Sequence, residues 1–290
     1  MTITQQSQSS TNYTSEDFAN NEWLDAHFLY MQPEYEEMLR WVGLQPGWHV
    51  LDAGCGGGSF LPLMTELVGT SGKVSALDLT PENIRVVEKR AQQSNWQAPV
   101  FARVGTVIDL PYEDNSFDAV WCANVSQYLT DDEVTKMLSE FRRVVRPGGL
   151  VAVKEYDITT QLFQPLPPRL FPSFQAAMVR AGSTEYAQEF RAIDLQRWLR
   201  RAGLLHLRQK PTLMNRFQPV PSFAVPFIQG FLSSCSAAAL KLDLPADELQ
   251  AWKQLVDFDS PNHILRDPDF QYRAIQTVFV GTVPDFSGVI

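Results

Sequence analysis

The chain has 290 residues, 44% of them hydrophobic, a formal net charge of −9 and a sequence pI of about 5.0. That apolar content suffices for a sizeable core, and a net-negative surface argues against nucleic acid or anionic membrane partners. Three cysteines, Cys55, Cys122 and Cys235, are too few and too far apart for a disulfide framework or a metal-binding CxxC pattern, and they fit a reducing, cytoplasmic compartment.

In chain order, 1–20 is polar and rich in Ser, Thr and Gln; it lacks the apolar stretch of a signal peptide and reads as a disordered tail. No apolar run looks long enough to span a bilayer. Residues 21–290 read as a single domain whose core is 46–156. Within that core, short β-rich runs at 49–51, 74–77, 100–104, 119–122 and 150–153 alternate with amphipathic helical segments, the pattern of βαβ units and a parallel sheet. The segment Asp25-Ala26-His27-Phe28-Leu29-Tyr30 belongs to a helix ahead of the first strand. Thr80 and Pro81 suit the N-cap and first position of a helix. Thr130 and Glu133 have capping-box spacing, followed by the apolar stripe Val134, Met137, Leu138, Phe141, Val145. Pro147-Gly148-Gly149 ends that helix.

Beyond 156 the pattern is less regular. Residues 161–172 are proline-rich and read as a connection leaving the sheet. A helix at 192–202 ends at Gly203, and 204–209 follows as a strand. Prolines recur at Pro211, Pro219, Pro221 and Pro226, a helix is expected at 246–255, and 274–281 reads as a final antiparallel strand. The segments 157–200 and 212–273 are therefore expected as insertions forming a lid. Their aromatic residues, including Phe163, Phe171, Phe227, Phe231 and Trp252, suggest an apolar pocket for a small organic acceptor.

The strongest motif is Val50-Leu51-Asp52-Ala53-Gly54-Cys55-Gly56-Gly57-Gly58-Ser59, between a strand and a helix. Glycines here let a ligand approach the backbone, and the helix behind them offers unpaired amides. Asp78, the last residue of the next strand, is placed to accept hydrogen bonds from a ribose diol. Loop and acid together indicate an adenosine-type cofactor. Asp52, just before the glycines, would be unwelcome beside a pyrophosphate but suits an amino acid with a nearby sulfonium, which favours S-adenosylmethionine over a dinucleotide.

Three further motifs follow at regular intervals: Ala76-Leu77-Asp78-Leu79-Thr80-Pro81-Glu82, Asp109-Leu110-Pro111-Tyr112-Glu113-Asp114-Asn115-Ser116-Phe117-Asp118, and Val144-Val145-Arg146-Pro147-Gly148-Gly149. With these, the stretch from Pro46 to Tyr156 resembles the class I S-adenosylmethionine-dependent methyltransferases, in particular the small-molecule group that includes the ubiquinone and menaquinone C-methyltransferases. The resemblance implies a Rossmann-like α/β fold: a seven-stranded sheet, mostly parallel with an antiparallel last strand, and helices on both faces. It implies that Gly54, Cys55 and Gly56 line the methionyl part of the cofactor with Asp52 near its ammonium, and that Asp78 holds the ribose. Leu79 and Asn83 would border the adenine, Thr106 and Val107 its edge, and Asn124 and Val125 would lie near the sulfonium. Thr106 departs from the Asp of many members, and Tyr128 stands where relatives often have His. Tyr30, on a segment that closes over the cofactor in relatives, would touch it.

The implied activity is methyl transfer to a small, apolar organic acceptor in secondary metabolism, with no metal, nucleic acid or membrane partner. Methyl transfer is an in-line displacement in which the protein aligns the reactants and excludes water. A base is optional; the candidates are His27, Tyr30, Tyr128, Glu155, His206 and His263. The alternative is a reaction such as a cyclisation, with the cofactor as an electrostatic or structural aid. The atom methylated, whether C, N or O, stays open at this point.

Overall fold

The computed structural model describes residues 21–182 and 187–285, so the tail expected at 1–20 lies outside the described residues. The apolar runs become β1 (His49–Ala53), β2 (Lys73–Asp78), β3 (Val100–Val104), β4 (Phe117–Ala123) and β5 (Val145–Gln164), followed by β6 (Leu205–Phe217) and β7 (Gln271–Thr282). They form one seven-stranded sheet in the order β3-β2-β1-β4-β5-β7-β6. β1 to β5 pair in parallel, and β7 runs antiparallel to both β5 and β6. The expected Rossmann-like sheet with its antiparallel last strand is what this sequence builds.

Strand side chains alternate between two apolar layers. Val50, Ala119, Trp121 and Ala152 face one core, and Leu51, Val120, Cys122, Val151 and Val153 face the other. The first layer is covered by α1 (Asn21–Val42), α2 (Leu61–Val68) and α3 (Pro81–Gln93), the second by α4 (Asp131–Val144) and α6 (Arg191–Arg201). α4 starts with the capping box foreseen at Thr130 and Glu133, whose side chains each bond the other's backbone amide.

Several boundaries differ from the sequence reading. β5 does not end near 156; it continues to Gln164 through an irregularity between Asp157 and Leu162, and Leu162, Phe163 and Gln164 pair with β7. β6 passes through Pro211 to Phe217. A proline is tolerated there because β6 is an edge strand and one flank needs no N–H donor. The expected insertions at 157–200 and 212–273 therefore begin inside strands, and the second also ends inside β7. The helical parts of the inserts are α5 (Leu170–Ala181), α7 (Val225–Ala239) and α8 (Ala246–Gln254). The expectation that no apolar run reaches membrane-spanning length meets one exception, Ser222–Ala239, with 18 residues and hydropathy 1.2. In the fold this stretch packs on α1 as a core helix, with Phe227, Ile228, Leu232, Cys235 and Ala239 buried.

Candidate cofactor and acceptor site

The parallel strands β1, β2 and β4 all end on one edge of the sheet, the edge where ligands bind in open α/β folds. The loop after β1 turns sharply at Gly54 (φ 78°) and Gly56 (φ 52°). A Cβ on Gly54 would stand 2.4 Å from Val125 Cγ2, so the loop after β1 and the loop after β4 touch where only hydrogen fits. Leu77 O accepts from Gly54 N (2.7 Å) and Cys55 N (3.0 Å), pinning the loop to the end of β2.

Asp78 holds the loop from the other side. Its carboxylate accepts from Gly56 N (2.8 Å), Thr80 N (2.9 Å) and Asn83 Nδ2 (3.0 Å). Three bonds leave lone-pair capacity on a group with about four acceptor positions. Beside it, Leu79 is 61% exposed, a bare aliphatic surface next to a buried acid. Gly105 N donates to Asp78 O, drawing the loop after β3 to the same point; Thr106 bridges to Asp109, and Val107 is buried behind it.

Asp52 is 1% exposed and its Oδ2 has no hydrogen-bond partner. Burial, aided by the charge of Asp78, pushes its carboxyl up to about 8. A buried acid without a partner next to a glycine cradle is what an incoming cation would satisfy. Burial also drives the Cys55 thiol well above its usual range, so Cys55 contributes backbone, not a nucleophile.

α1 lies across this edge. Asp25 pairs with Arg90 of α3 and accepts from Ser59 Oγ (3.3 Å), while Arg90 Nη1 donates to Gly57 O (2.7 Å). Leu24 stands 3.4 Å from the Cβ position of Gly56. The helix therefore meets the glycine loop at Leu24 and Asp25. Tyr30 lies elsewhere, buried between the ring of Phe227 and the Arg216 guanidinium, with its hydroxyl unpartnered and its phenol raised to about 12 by burial. Its ring thus belongs to the side of the insertion helices.

The other candidates separate clearly. His27 stacks on Phe227 at 4.5 Å and lies 2.8 Å from Tyr35 Oη through Nε2. Burial lowers its imidazole to about 3, so it is neutral. His263 spends both ring nitrogens on the backbone, at Leu255 O and Leu265 N, and caps its own short helix. His206 is the second residue of β6, at the sheet end opposite the loop. Tyr128 closes the short helix Ser126–Tyr128 after β4. Glu155 faces away from α1 and accepts from Ser126 N and Oγ, both at 2.7 Å.

Sequence reasoning named Asn124 but overlooked Lys154 and Tyr35 beside it. Asn124 takes a positive φ of 58° just past β4, a conformation Asn adopts more readily than other side-chain-bearing residues. Its Oδ1 accepts from Lys154 Nζ at 2.7 Å, and that nitrogen lies 4.0 Å from the centre of the Tyr35 ring. Tyr35 Oη donates to Gln276 Oε1 of β7 at 2.9 Å, so His27 must donate to Tyr35 through Nε2–H. The available signal was a lysine directly after the apolar run Leu150-Val151-Ala152-Val153.

Residues 50–149 match the family model described as "Methyltransferase domain". The chain is 31% identical over 137 residues to the 2-phytyl-1,4-naphtoquinone methyltransferase of Trichormus variabilis, covering 47% of this chain and 58% of that protein. It is 28% identical over 191 residues to the demethylmenaquinone methyltransferase of Anoxybacillus flavithermus, covering 61% and 78% respectively. The match thus spans less than two thirds of the first relative's length. Among solved structures, the YcgJ protein of Bacillus subtilis shares the fold with a TM-score of 0.55 at 17% identity, over 86% of this chain and 97% of that one.

Proposed function

We propose that this chain, whose residues 50–149 match the methyltransferase domain model, is an enzyme that transfers a methyl group from S-adenosylmethionine to a small, quinone-like organic acceptor. One observation carries the cofactor assignment: two buried carboxylates, Asp52 without a partner and Asp78 with spare acceptor capacity, flank a glycine loop with a bare leucine, Leu79, at its side. Asp78 holds the ribose hydroxyls, Leu79 and Asn83 border the adenine, and the backbone at Gly54, Cys55 and Gly56 takes the methionyl part. Asp52 compensates the ammonium. Bound there, the cofactor supplies an electrophilic methyl group. Asn124 and Val125 border that group from the end of β4. α1 seals the loop through Asp25 and keeps water from the reacting atoms.

The acceptor lies under α1 against the aromatic wall built by the overhanging part of β5, β7 and the insertion helices. Phe163 stacks on Phe171 at 5.4 Å and on Phe231 at 5.8 Å, and meets the tilted ring of Tyr272 at 4.8 Å. The names of the relatives, a 2-phytyl-1,4-naphtoquinone methyltransferase and a demethylmenaquinone methyltransferase, support a quinone-like ring there. A quinone ring is electron-poor, so the nucleophilic form is the reduced, dihydroxy ring. The unpaired, buried cysteines support a cytoplasmic setting.

Titration calorimetry with S-adenosylhomocysteine tests the cofactor half. Wild type should bind, and Asp78→Ala should lose about 1.5–3 kcal/mol, tenfold or more in affinity. Absence of binding by wild type would sink the reading. Anaerobic incubation of labelled S-adenosylmethionine with 1,4-naphthohydroquinone tests the acceptor half; label should appear in the organic phase.

A further inference from the structure

We propose that Lys154 is the base that removes a hydroxyl proton from the acceptor. This rests on the methyltransferase reading above. Lys154 is fully buried, yet the described residues give its Nζ one hydrogen bond, to Asn124 Oδ1, and no ion pair. A lysine kept dry without a counter-ion is poor structural design, because an apolar side chain of the same length would fill the space at no electrostatic cost. Its position suits a chemical role. Asn124 anchors it from the end of β4, at the cofactor side, and the Tyr35 ring holds it from α1, on the acceptor side. The register sets Lys154 opposite Ala123, at the level where β4 stops and β5 continues into the aromatic wall.

The groups facing the amine favour its neutral form. From α1 come neutral His27 and the Tyr35 phenol, which burial raises far out of the physiological range. From β7 comes Gln276, held by the Tyr35 hydroxyl. Glu155, its sequence neighbour, points to the opposite face and is engaged by Ser126. Desolvation therefore dominates and lowers the Lys154 ammonium well below the ordinary lysine range, Glu155 opposing the shift only in part. A neutral amine donates one N–H to Asn124 and keeps a lone pair for the acceptor.

The step balances simply. The acceptor hydroxyl proton moves to Lys154 Nζ, and the O–H electron pair stays on the acceptor. The acceptor, through that oxygen or the ring carbon conjugated with it, forms a bond to the methyl carbon as the methyl–sulfur bond breaks, its pair remaining on sulfur. A ring carbon so methylated then loses its own proton to solvent. Lys154 returns its proton to water when product leaves. The acceptor class is thus a phenol or enol with an ionisable hydroxyl, and not an amine.

Lys154→Met and Lys154→Arg test this in the full chain; methionine keeps the volume without the nitrogen, and arginine keeps a charge that cannot be shed. Both should lose about a hundredfold or more in kcat with 1,4-naphthohydroquinone. Both should bind S-adenosylhomocysteine as wild type does, and Lys154→Met should melt no lower than wild type. Wild-type kcat should reach a plateau with rising pH, whereas the variants' residual rate should climb as the acceptor ionises unaided. With S-adenosylhomocysteine bound, wild type should hold 4-nitrophenol as its yellow phenolate at a pH where Lys154→Met binds it as the phenol. Unchanged kcat in Lys154→Met, full activity in Lys154→Arg, or no phenolate on wild type would overturn the proposal. Failure of wild type to bind S-adenosylhomocysteine would instead remove the methyltransferase reading beneath it.

Discussion

At the residue scale the two aspartates divide the work, and Asp52 makes the sharper prediction. Its folded value of about 8 lies above the ordinary 3.8. Between those values the folded protein binds more protons than the unfolded chain, so this group's contribution to stability is fully present below about pH 4 and is lost as pH rises to about 8. Asp52→Asn should therefore flatten the fall in melting temperature between pH 5 and pH 9. Wild type should also release a proton when the ammonium of S-adenosylhomocysteine arrives, because the cation favours the ionised acid. Calorimetry in two buffers of different ionisation enthalpy measures that release; an equal release by Asp52→Asn would reject the role given to Asp52. Both aspartates were legible in the sequence, since each sits at the end of an apolar run beside glycine or a helix start. Lys154 was not. In the sequence it follows the apolar run 150–153, where a lysine ordinarily reaches for water, and only the packing of α1 over β5 closes that route.

At the element scale the site depends on two loops from neighbouring strands sharing one small volume. Gly54→Ala places a methyl group 2.4 Å from Val125 Cγ2 at a φ of 78°. It should cost about 1–3 kcal/mol in unfolding free energy from overpacking, besides the left-handed strain. Adding Val125→Ala should recover the overpacking part and leave about 1–2 kcal/mol of strain. Denaturant melts of the two single mutants and the double mutant give the coupling, and strict additivity would mean that the loops do not meet. The same scale explains what sequence reading found and missed. β1, β2 and α4 were clear because burial alternation and capping agree locally. β5 and β6 were cut short because the proline-rich stretch 161–172, whose first proline is Pro165, and Pro211 were taken as breaks. One follows the strand's end, and the other sits on the sheet's free edge. α7 escaped notice because its run of small residues, Ser233-Ser234-Cys235-Ser236-Ala237-Ala238-Ala239, carries little periodic contrast, and tertiary packing on α1 decides its state.

At the scale of the whole molecule the strand order ties the two halves together. β7, last in sequence, lies between β5 and β6, so β6 has no neighbour in the sheet until β7 is in place. α1 depends on the same strands. Tyr35 bonds Gln276, Arg208 donates to the carbonyls of Trp41 and Val42, and Arg216 pairs with Glu34 while donating to Tyr30 O. The helix that seals the cofactor loop is therefore held by strands from the far end of the chain. We propose on this basis that 21–290 is one cooperative domain. A chain ending at Tyr156 would cut β5 and strip α1 of these anchors; a chain ending at Phe270 would keep most of the residues but lose β7, stranding β6. Both should expose the long edge of β5 and the apolar underside of α1, and both should aggregate. The second truncation is the more telling, because a modular protein would tolerate loss of a terminal strand better than loss of half its length. Size-exclusion chromatography and S-adenosylhomocysteine calorimetry on the two truncations decide the matter. A monomeric fragment ending at Tyr156 that binds with wild-type affinity would show that the first half folds alone, and the single-domain proposal would fall.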